Sequence, residues 1–233
     1  RGRERVQAVF EAVSGARMMH NYFRIGGLKD DLPDNFEEMI GELMPLLQAD
    51  IEEADRLLTF NEIFLARLKG VAAISVEDAL DFGLTGPCLR ASGVDYDLRK
   101  ADPYSIYDRF DFKVPVGLDG DCWDRHYVRV REMYESMKIL EQALAGMPKG
   151  NVTSSLGKRL ARPPEGQVYV RAENPRGELG VYLVSDGTDK PYRLKVRPPS
   201  FCNLSAIKHM LKDTWVADTV VVLGSLDIVL GEV

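Results

Sequence analysis

The spacing of apolar residues changes once along the chain, and this change constrains the fold more than any other feature. Before Pro164 apolar residues recur every three or four positions, as at Tyr127 and Val130, which is typical of amphipathic helices. After Pro164 they alternate with polar residues between Val168 and Ala172, which indicates strands. The sequence therefore predicts an α+β fold that is predominantly α-helical.

Helix-start and helix-stop signals divide the first part of the chain. The spacing predicts a first helix over Arg3–Tyr22, ended by the glycines at 26 and 27. In the second helix Pro45 predicts a kink or a break. The clearest helix runs from an Asp121 cap to about Ala145. Three further capping pairs predict helix starts: Asn35 with Glu38, Thr59 with Glu62, and Ser75 with Asp78.

Residues 83–116 are rich in Gly, Pro, Asp and Arg and show no sustained period, so we predict a long ordered loop with short helical turns. The segment Gly83–Gly93 lacks the G-K-[ST] ending with which a phosphate-binding loop holds phosphate and magnesium. We therefore interpret it as a buried architectural loop. The charged residues that could form its internal ion pairs are Arg90, Arg99, Asp95, Asp97 and Asp102.

The chain after Pro164 predicts a small antiparallel β-meander of three strands, followed by a return to helix from Phe201. The predicted organisation is a helical core over 1–163, the meander over 164–200 and a C-terminal helical segment over 201–233 that packs on the core. Its third strand, Tyr192–Val196, alternates apolar residues with Lys and Arg. That cationic face indicates either a wall for an anionic ligand or acidic partner, or a solvated strand face, which the pattern alone favours.

Composition excludes several classes of protein. The net charge of −6 provides no basic field for nucleic acid or acidic lipid. The three cysteines and three histidines are scattered, which argues against a disulfide scaffold and against a Cys- or His-rich metal centre. The longest apolar stretch, Thr219–Leu230, is too short for the roughly 20 residues that cross a bilayer.

Two carboxylates near the end of the chain stand in an apolar context. Asp227 and Glu232 are candidate proton-handling groups, because a buried carboxylate must either pair or raise its pKa. A helix end with one cap and one exposed acid explains the pattern equally well. His20 and His126 are more typical of structural histidines than of catalysts, and the spacing supports no catalytic triad.

Several ordered segments carry a resemblance to a known family. In chain order they are Gly15–Gly27, Thr85–Val94, Asp97–Lys100, Pro103–Tyr104, Tyr107–Asp108, Val114–Gly117, Gly120–Asp121, Asp124–Arg125, Lys195–Phe201 and Ser225–Val233. Together they resemble the D subunit of bacterial NADH–quinone oxidoreductase, respiratory complex I. The resemblance implies that these residues correspond to the C-terminal part of a larger subunit.

The resemblance also implies a helical core related to the large subunit of nickel–iron hydrogenases. In those hydrogenases a closing D-P-C-x-x-C motif supplies nickel and iron ligands. The matching positions here begin at Asp227, and Val229 and Glu232 stand in the two cysteine places. Neither side chain binds nickel as a thiolate does. We therefore expect no resident metal or other cofactor on this chain, and no hydrogenase activity.

In the family the former metal cavity forms part of the quinone chamber, beside a terminal [4Fe–4S] cluster that a partner subunit carries. By resemblance, Arg197, Asp227 and Val229 line this chamber. His20 is a candidate redox-linked residue, although the family's histidine directly follows Gly-Ala-Arg-Met, where this chain has Met19. The family's histidine and tyrosine for the quinone headgroup lie in an N-terminal region that is absent from this sequence.

The function that the resemblance implies is a peripheral-arm subunit of a proton-pumping NADH:quinone oxidoreductase. It would help pass electrons from the neighbouring cluster to quinone, its substrate, on the cytoplasmic side of the cell membrane. It would meet the membrane only through partners, above all the terminal iron–sulfur subunit, and would be inactive alone. Two alternatives stay open: a scaffold that only docks subunits, and the equivalent subunit of a ferredoxin-dependent relative.

Overall fold

The computed structural model describes residues 2–154 and 162–233 and shows a helix-dominated α+β fold with one three-stranded sheet. This confirms the predicted fold class. The ten helices found in these ranges are α1 Gly2–Ser14, α2 Phe36–Ala54, α3 Glu62–Leu68, α4 Val76–Asp81, α5 Pro87–Ala91, α6 Leu98–Ala101, α7 Cys122–Ala145, α8 Pro199–Ser205, α9 Ile207–Met210 and α10 Thr219–Leu226. The strands are β1 Phe23–Arg24, β2 Gly27–Leu28, β3 Gly166–Asn174, β4 Gly177–Ser185 and β5 Arg193–Arg197.

The first helix is shorter than predicted. Helix α1 ends at Ser14 because Gly15 takes a left-handed backbone with φ +77°. Residues 15–22, which the spacing placed in this helix, instead form a loop that leads into the small β1–β2 hairpin. Helix α1 packs against α2 through a small apolar cluster around Val9, Ile40 and Leu43.

Two further local predictions were wrong in part. Pro45 lies inside α2 without ending it, and the helix continues into a π-helical turn over Asp55–Thr59. The cap of α3 is Asn61, whose side chain accepts from the backbone N–H groups of Ile63 and Phe64. Thr59, which the sequence suggested as this cap, is fully buried and faces α7 instead.

The long helix α7 begins where the sequence predicted it. The Asp121 carboxylate accepts from the backbone N–H of Asp124 at 2.8 Å and from that of Gly70 at 2.7 Å. The Ser75 cap of α4 is likewise confirmed, since its hydroxyl accepts from Asp78 N. Around α7 the main core joins α3, α4, α5 and the C-terminal helices through buried side chains such as Leu84, Val222 and Leu226.

The segment between α4 and α7 is an ordered loop with short helical turns. Residues 84–92 are all buried, which agrees with the architectural role expected of them. Arg99 binds Asp97 as predicted, with Nη2–Oδ2 at 2.6 Å. Asp102 pairs outside the loop, with Arg171 on β3.

The sheet has the order β3–β4–β5 and is antiparallel throughout, as the alternation predicted. A tight turn pairs Asn174 with Gly177, so that Pro175 and Arg176 form its tip. Val168 and Val170 on β3 and Leu194 on β5 belong to an apolar face that is about half exposed. The basic side chains at 193 and 195 are also exposed, as expected of a solvated strand face.

The sheet meets the helical core where two glycines come together. A side chain on Gly86, before α5, would lie 2.4 Å from Gly177 Cα, and one on Gly177 would lie 2.6 Å from Thr85 Cγ2. Both glycines have positive φ. This close approach brings the β3–β4 turn against the core. The predicted three-part division of the chain stays a prediction.

No helix in the described ranges combines the length and apolar composition needed to cross a bilayer.

Candidate functional site

A cavity of about 830 Å³ lies between α7, α10, α3 and the β3–β4 turn. Its apolar wall comes from Phe64, Leu68, Val130, Met133 and Val221. Its polar wall contains Arg90, Arg99, His126, Arg129, Glu132, Glu173 and Asp227. A mostly apolar cleft of this size with a few convergent charged groups is typical of small-molecule sites.

Asp227 and two arginines form the charged group at the α10 end of the cavity. Asp227 Oδ1 lies 3.3 Å from Arg176 Nη2, and its Oδ2 lies 4.0 Å from Arg129 Nε. Arg176 Nε also donates to the Asp227 carbonyl oxygen at 2.7 Å. The turn of the sheet thereby reaches the end of α10, and two cations face one carboxylate.

The backbone of Asp227 explains how its carboxylate reaches this position. Asp227 follows the last residue of α10 in a left-handed conformation with φ +53°, which reverses the chain after the helix. Aspartate tolerates this conformation better than most residues. The side chain remains 44% exposed, so the Asp227 carboxylate pairs at the cavity mouth and is not fully buried.

A second charged group, here called the Arg90 cluster, consists of Arg90, Asp97, Arg99, Glu132 and Glu173. Arg90 is only 2% exposed, and it donates from Nε to Glu132 at 2.7 Å and from Nη1 to Glu173 at 3.1 Å. Arg99 binds Asp97 through both Nε and Nη2. The cluster joins α5, α6, α7 and β3 at one wall of the cavity.

The pKa values of the acids in this cluster are shifted in different directions. Burial raises the pKa of Glu132 and of Glu173, and the attraction of Arg90 offsets this only in part. Burial also disfavours the charged form of Asp97, but its hydrogen bonds to Arg99 outweigh this effect and lower its pKa. Glu132 and Glu173 are therefore the carboxyls that hold protons most readily here.

His126 lies on the cavity side of α7. Its Nε2 is 3.2 Å from Thr59 Oγ1, and its ring packs edge-on against Phe64. Burial lowers the pKa of His126, and the nearby charge of Arg129 lowers it further. A neutral imidazole is therefore favoured at this wall of the cavity.

The structure brings only one of the residues expected in the chamber to this cavity. Asp227 lines it, whereas Val229 instead donates its backbone N–H to Ser200 Oγ at 3.1 Å. Arg197 binds the carbonyl oxygens of Glu178 and Gly83 at the edge of the sheet. His20 lies beside Phe10 and lines a separate, smaller cavity near α1. The assignments of Arg197, Val229 and His20 stay predictions.

Within residues 2–154 and 162–233, no group of three Cys, His, Asp or Glu side chains has the arrangement of a metal site. Cys88 and Cys122 are buried singly near α7, where Arg129 and Arg125 respectively approach their sulfur atoms. Glu232, in the second cysteine place of the hydrogenase motif, accepts from the backbone N–H of Ser200 at 3.2 Å.

Comparison with known proteins identifies the family. The family model described as respiratory-chain NADH dehydrogenase, 49 Kd subunit, matches residues 1–159 and 155–233. The chain belongs to this family. Relatives named as the D subunit of NADH-quinone oxidoreductase include those of Dehalococcoides mccartyi and Carboxydothermus hydrogenoformans, each 49% identical over the whole chain, and that of Desulforamulus reducens, 48% identical.

The chain spans 63–64% of the length of each of these three relatives. The family was predicted from the sequence, and both the family model and these relatives confirm it. The sequence did not single out Arg129, Arg176, Glu132 or Glu173 as site residues. No local motif marks them, because their partners are distant in the sequence. Glu132 and Glu173, for example, lie 42 and 83 positions after Arg90.

Proposed function

We propose that this chain forms part of the quinone chamber in the peripheral arm of a proton-pumping NADH:quinone oxidoreductase. The observation that carries the proposal is the 830 Å³ cavity, in which an apolar wall faces Asp227 with Arg129. A quinone has an apolar ring and tail and two carbonyl oxygens that become negative on reduction. An apolar cleft with cations and proton-bearing groups at one wall fits that chemistry.

In this proposal the chain itself holds no cofactor, and electrons come from a [4Fe–4S] cluster on a partner, the terminal iron–sulfur subunit. Arg129 stabilises negative charge on a quinone oxygen, and Asp227 orients Arg129 and Arg176. The chain occupies the cytoplasmic side of the cell membrane and reaches the membrane through other subunits. The names of these relatives, each the D subunit of an NADH-quinone oxidoreductase, support quinone as substrate.

The test replaces Asp227 by Asn and, separately, Arg129 by Gln in the assembled complex. Asp227→Asn keeps the side-chain size, Arg129→Gln keeps a shorter polar side chain, and each removes one charge from the cavity, so we expect quinone reduction to fall at least about tenfold with assembly intact. Asp189→Asn and Arg193→Gln, at exposed positions of the sheet region, are the matched controls. Electron transfer to an acceptor upstream of quinone should be unchanged in all four variants.

A scaffold role is the second candidate, and exposed apolar side chains near α10 favour it. Trp215, Val216 and Val220 are about four-fifths or more exposed. Such a patch is typical of a surface that another protein covers. Loss of assembly in the Asp227→Asn complex would support the scaffold role without a chamber role. An assembled Asp227→Asn complex that reduces quinone at the normal rate would overturn the chamber role.

A further inference from the structure

The Arg90 cluster contains one carboxylate more than its arginines can neutralise. Arg99 is committed to Asp97 through two hydrogen bonds of 2.9 and 2.6 Å. Arg90 is then the one guanidinium of the cluster left for both Glu132 and Glu173, at 2.7 and 3.1 Å. Two carboxylates that share one cation away from water do not both ionise readily.

The charges of Arg99 and Arg129 also lower the pKa of Glu132, but both arginines have other partners. Arg129 on α7 is directed to Asp227 and to the carbonyl oxygen of Arg125. The titratable and charged groups that face the two carboxyls are Arg90 on α5, Asp97 before α6, Arg99 on α6, Tyr104 in the following loop and Arg129 on α7. Of these, Asp97 and Tyr104 offer no compensating positive charge.

Both carboxyls line the cavity and differ in their access to water. The Glu173 side chain is 6% exposed and the Glu132 side chain 17% exposed. Glu173 also accepts from the backbone N–H of Leu98, which holds it in place. Glu132 thus has the freer route for exchange of a proton with solvent.

We propose that Glu132 and Glu173 together hold one exchangeable proton beside Arg90 and supply it to a ligand reduced in the cavity. The inference rests on the proposed function for the identity of that ligand, a quinone. Reduction of the quinone to a quinol takes two electrons, which the partner's cluster would deliver one at a time, and two protons; for one of these protons a carboxyl O–H bond breaks and the proton passes to a quinone oxygen. The second proton of the quinol comes from solvent, and the carboxylate left behind regains its proton through Glu132.

The direct test is infrared spectroscopy of the whole complex during a pH titration without turnover. The wild-type complex should show a protonated-carboxyl band that disappears with rising pH and shifts in D2O. The band should be lost or reduced in E132Q and in E173Q. E141Q, at an exposed position of the same helix α7, is the control and should retain the band. Because no quinone is reduced in this experiment, its outcome is independent of the proposed function.

Turnover provides the second readout. In E132Q we expect quinone reduction to be at least about tenfold slower, with KM unchanged and the alkaline fall of the wild-type pH profile absent. An E132Q complex with the same carboxyl band and pH profile as E141Q would overturn the proposal. If E173Q prevents assembly, the more exposed E132Q decides the outcome. A slower rate with unchanged band and profile would show a purely structural role and would also overturn it.

Discussion

At the scale of single residues, Arg125 is the charged side chain most deeply built into the core. It is 0% exposed and donates to the carbonyl oxygens of Gly120 at 2.6 Å and Ala72 at 3.1 Å, and to Ser225 Oγ at 2.9 Å. These partners are carbonyl and hydroxyl groups rather than carboxylates. Arg125 therefore ties α7 to the turn before it and to α10 at the cavity.

Arg125→Met should be strongly destabilising. Methionine fills similar space but leaves the Gly120 and Ala72 carbonyls without their donor, so we expect unfolding to cost about 3 kcal/mol less. Chemical denaturation of the purified chain would measure this difference. Arg56→Met, at an exposed position, is the control and should change stability by less than about 0.5 kcal/mol. An equal loss in both variants would contradict the role given to Arg125.

The raised pKa values of Glu132 and Glu173 predict a dependence of stability on pH. A carboxyl with a raised folded-state pKa binds its proton more tightly in the folded state, so stability falls as pH rises from about 4.5 through that pKa. Asp97 acts in the opposite sense and below its ordinary value of 3.8. Glu132→Gln should therefore reduce the fall in denaturation midpoint between about pH 4.5 and about pH 8. The same slope in Glu132→Gln as in Glu141→Gln would contradict this expectation.

At the scale of elements, the junction between sheet and core depends on the absence of side chains at two positions. Gly177→Ala would place a methyl group 2.6 Å from Thr85 Cγ2 and 2.8 Å from Gly86 N. Gly187 also has positive φ, but nothing lies within 4 Å of the added atom. Gly187 therefore reports backbone strain alone, whereas Gly177, with φ +132°, combines strain with steric contact.

We expect Gly187→Ala to lower the free energy of unfolding by about 1 kcal/mol, through backbone strain alone. Gly177→Ala should lower it by at least about 2 kcal/mol more, because the β3–β4 turn must move off α5. Thermal or chemical denaturation would compare the two variants. Equal effects would show that the turn does not pack as tightly as the structure indicates.

The elements that the sequence predicted well are those fixed by local signals. The Asp121 cap and the long stripe after it define α7, and strict alternation with two turns defines the three-stranded sheet. The errors come from competing local signals. Apolar spacing alone extended α1 past Gly15, and Thr59 was chosen as the α3 cap instead of Asn61, two residues later.

The candidate site was less accessible to prediction than the elements. Asp227 was found because it belongs to a motif that resembles a known family, and it does line the cavity. Arg129 and Glu132 lie on α7 among other charged residues, and nothing in the local sequence distinguishes them. Their importance comes from tertiary pairing with Asp227 and Arg90, which only the fold reveals.

At the scale of the whole molecule, the cavity is lined by residues from all three parts of the chain that the sequence predicted: the helical core, the meander and the C-terminal segment. Phe64 and Arg129 come from the helical core, Glu173 from the sheet, and Val221 and Asp227 from the C-terminal segment. The glycine junction and the Arg90 cluster hold these parts together around it. The arrangement supports one site built by the entire fold rather than a site carried by one segment.

The most direct measurement is photoaffinity labelling of the assembled complex with an azido-quinone, followed by mapping of the labelled peptides. We expect label to attach to peptides containing residues 126–136 and 220–227, and excess quinone to compete it away. Asp227→Asn should reduce this labelling, whereas Asp189→Asn should leave it unchanged. Competable label confined to other parts of the complex, with quinone reduction intact, would contradict a quinone site in this cavity.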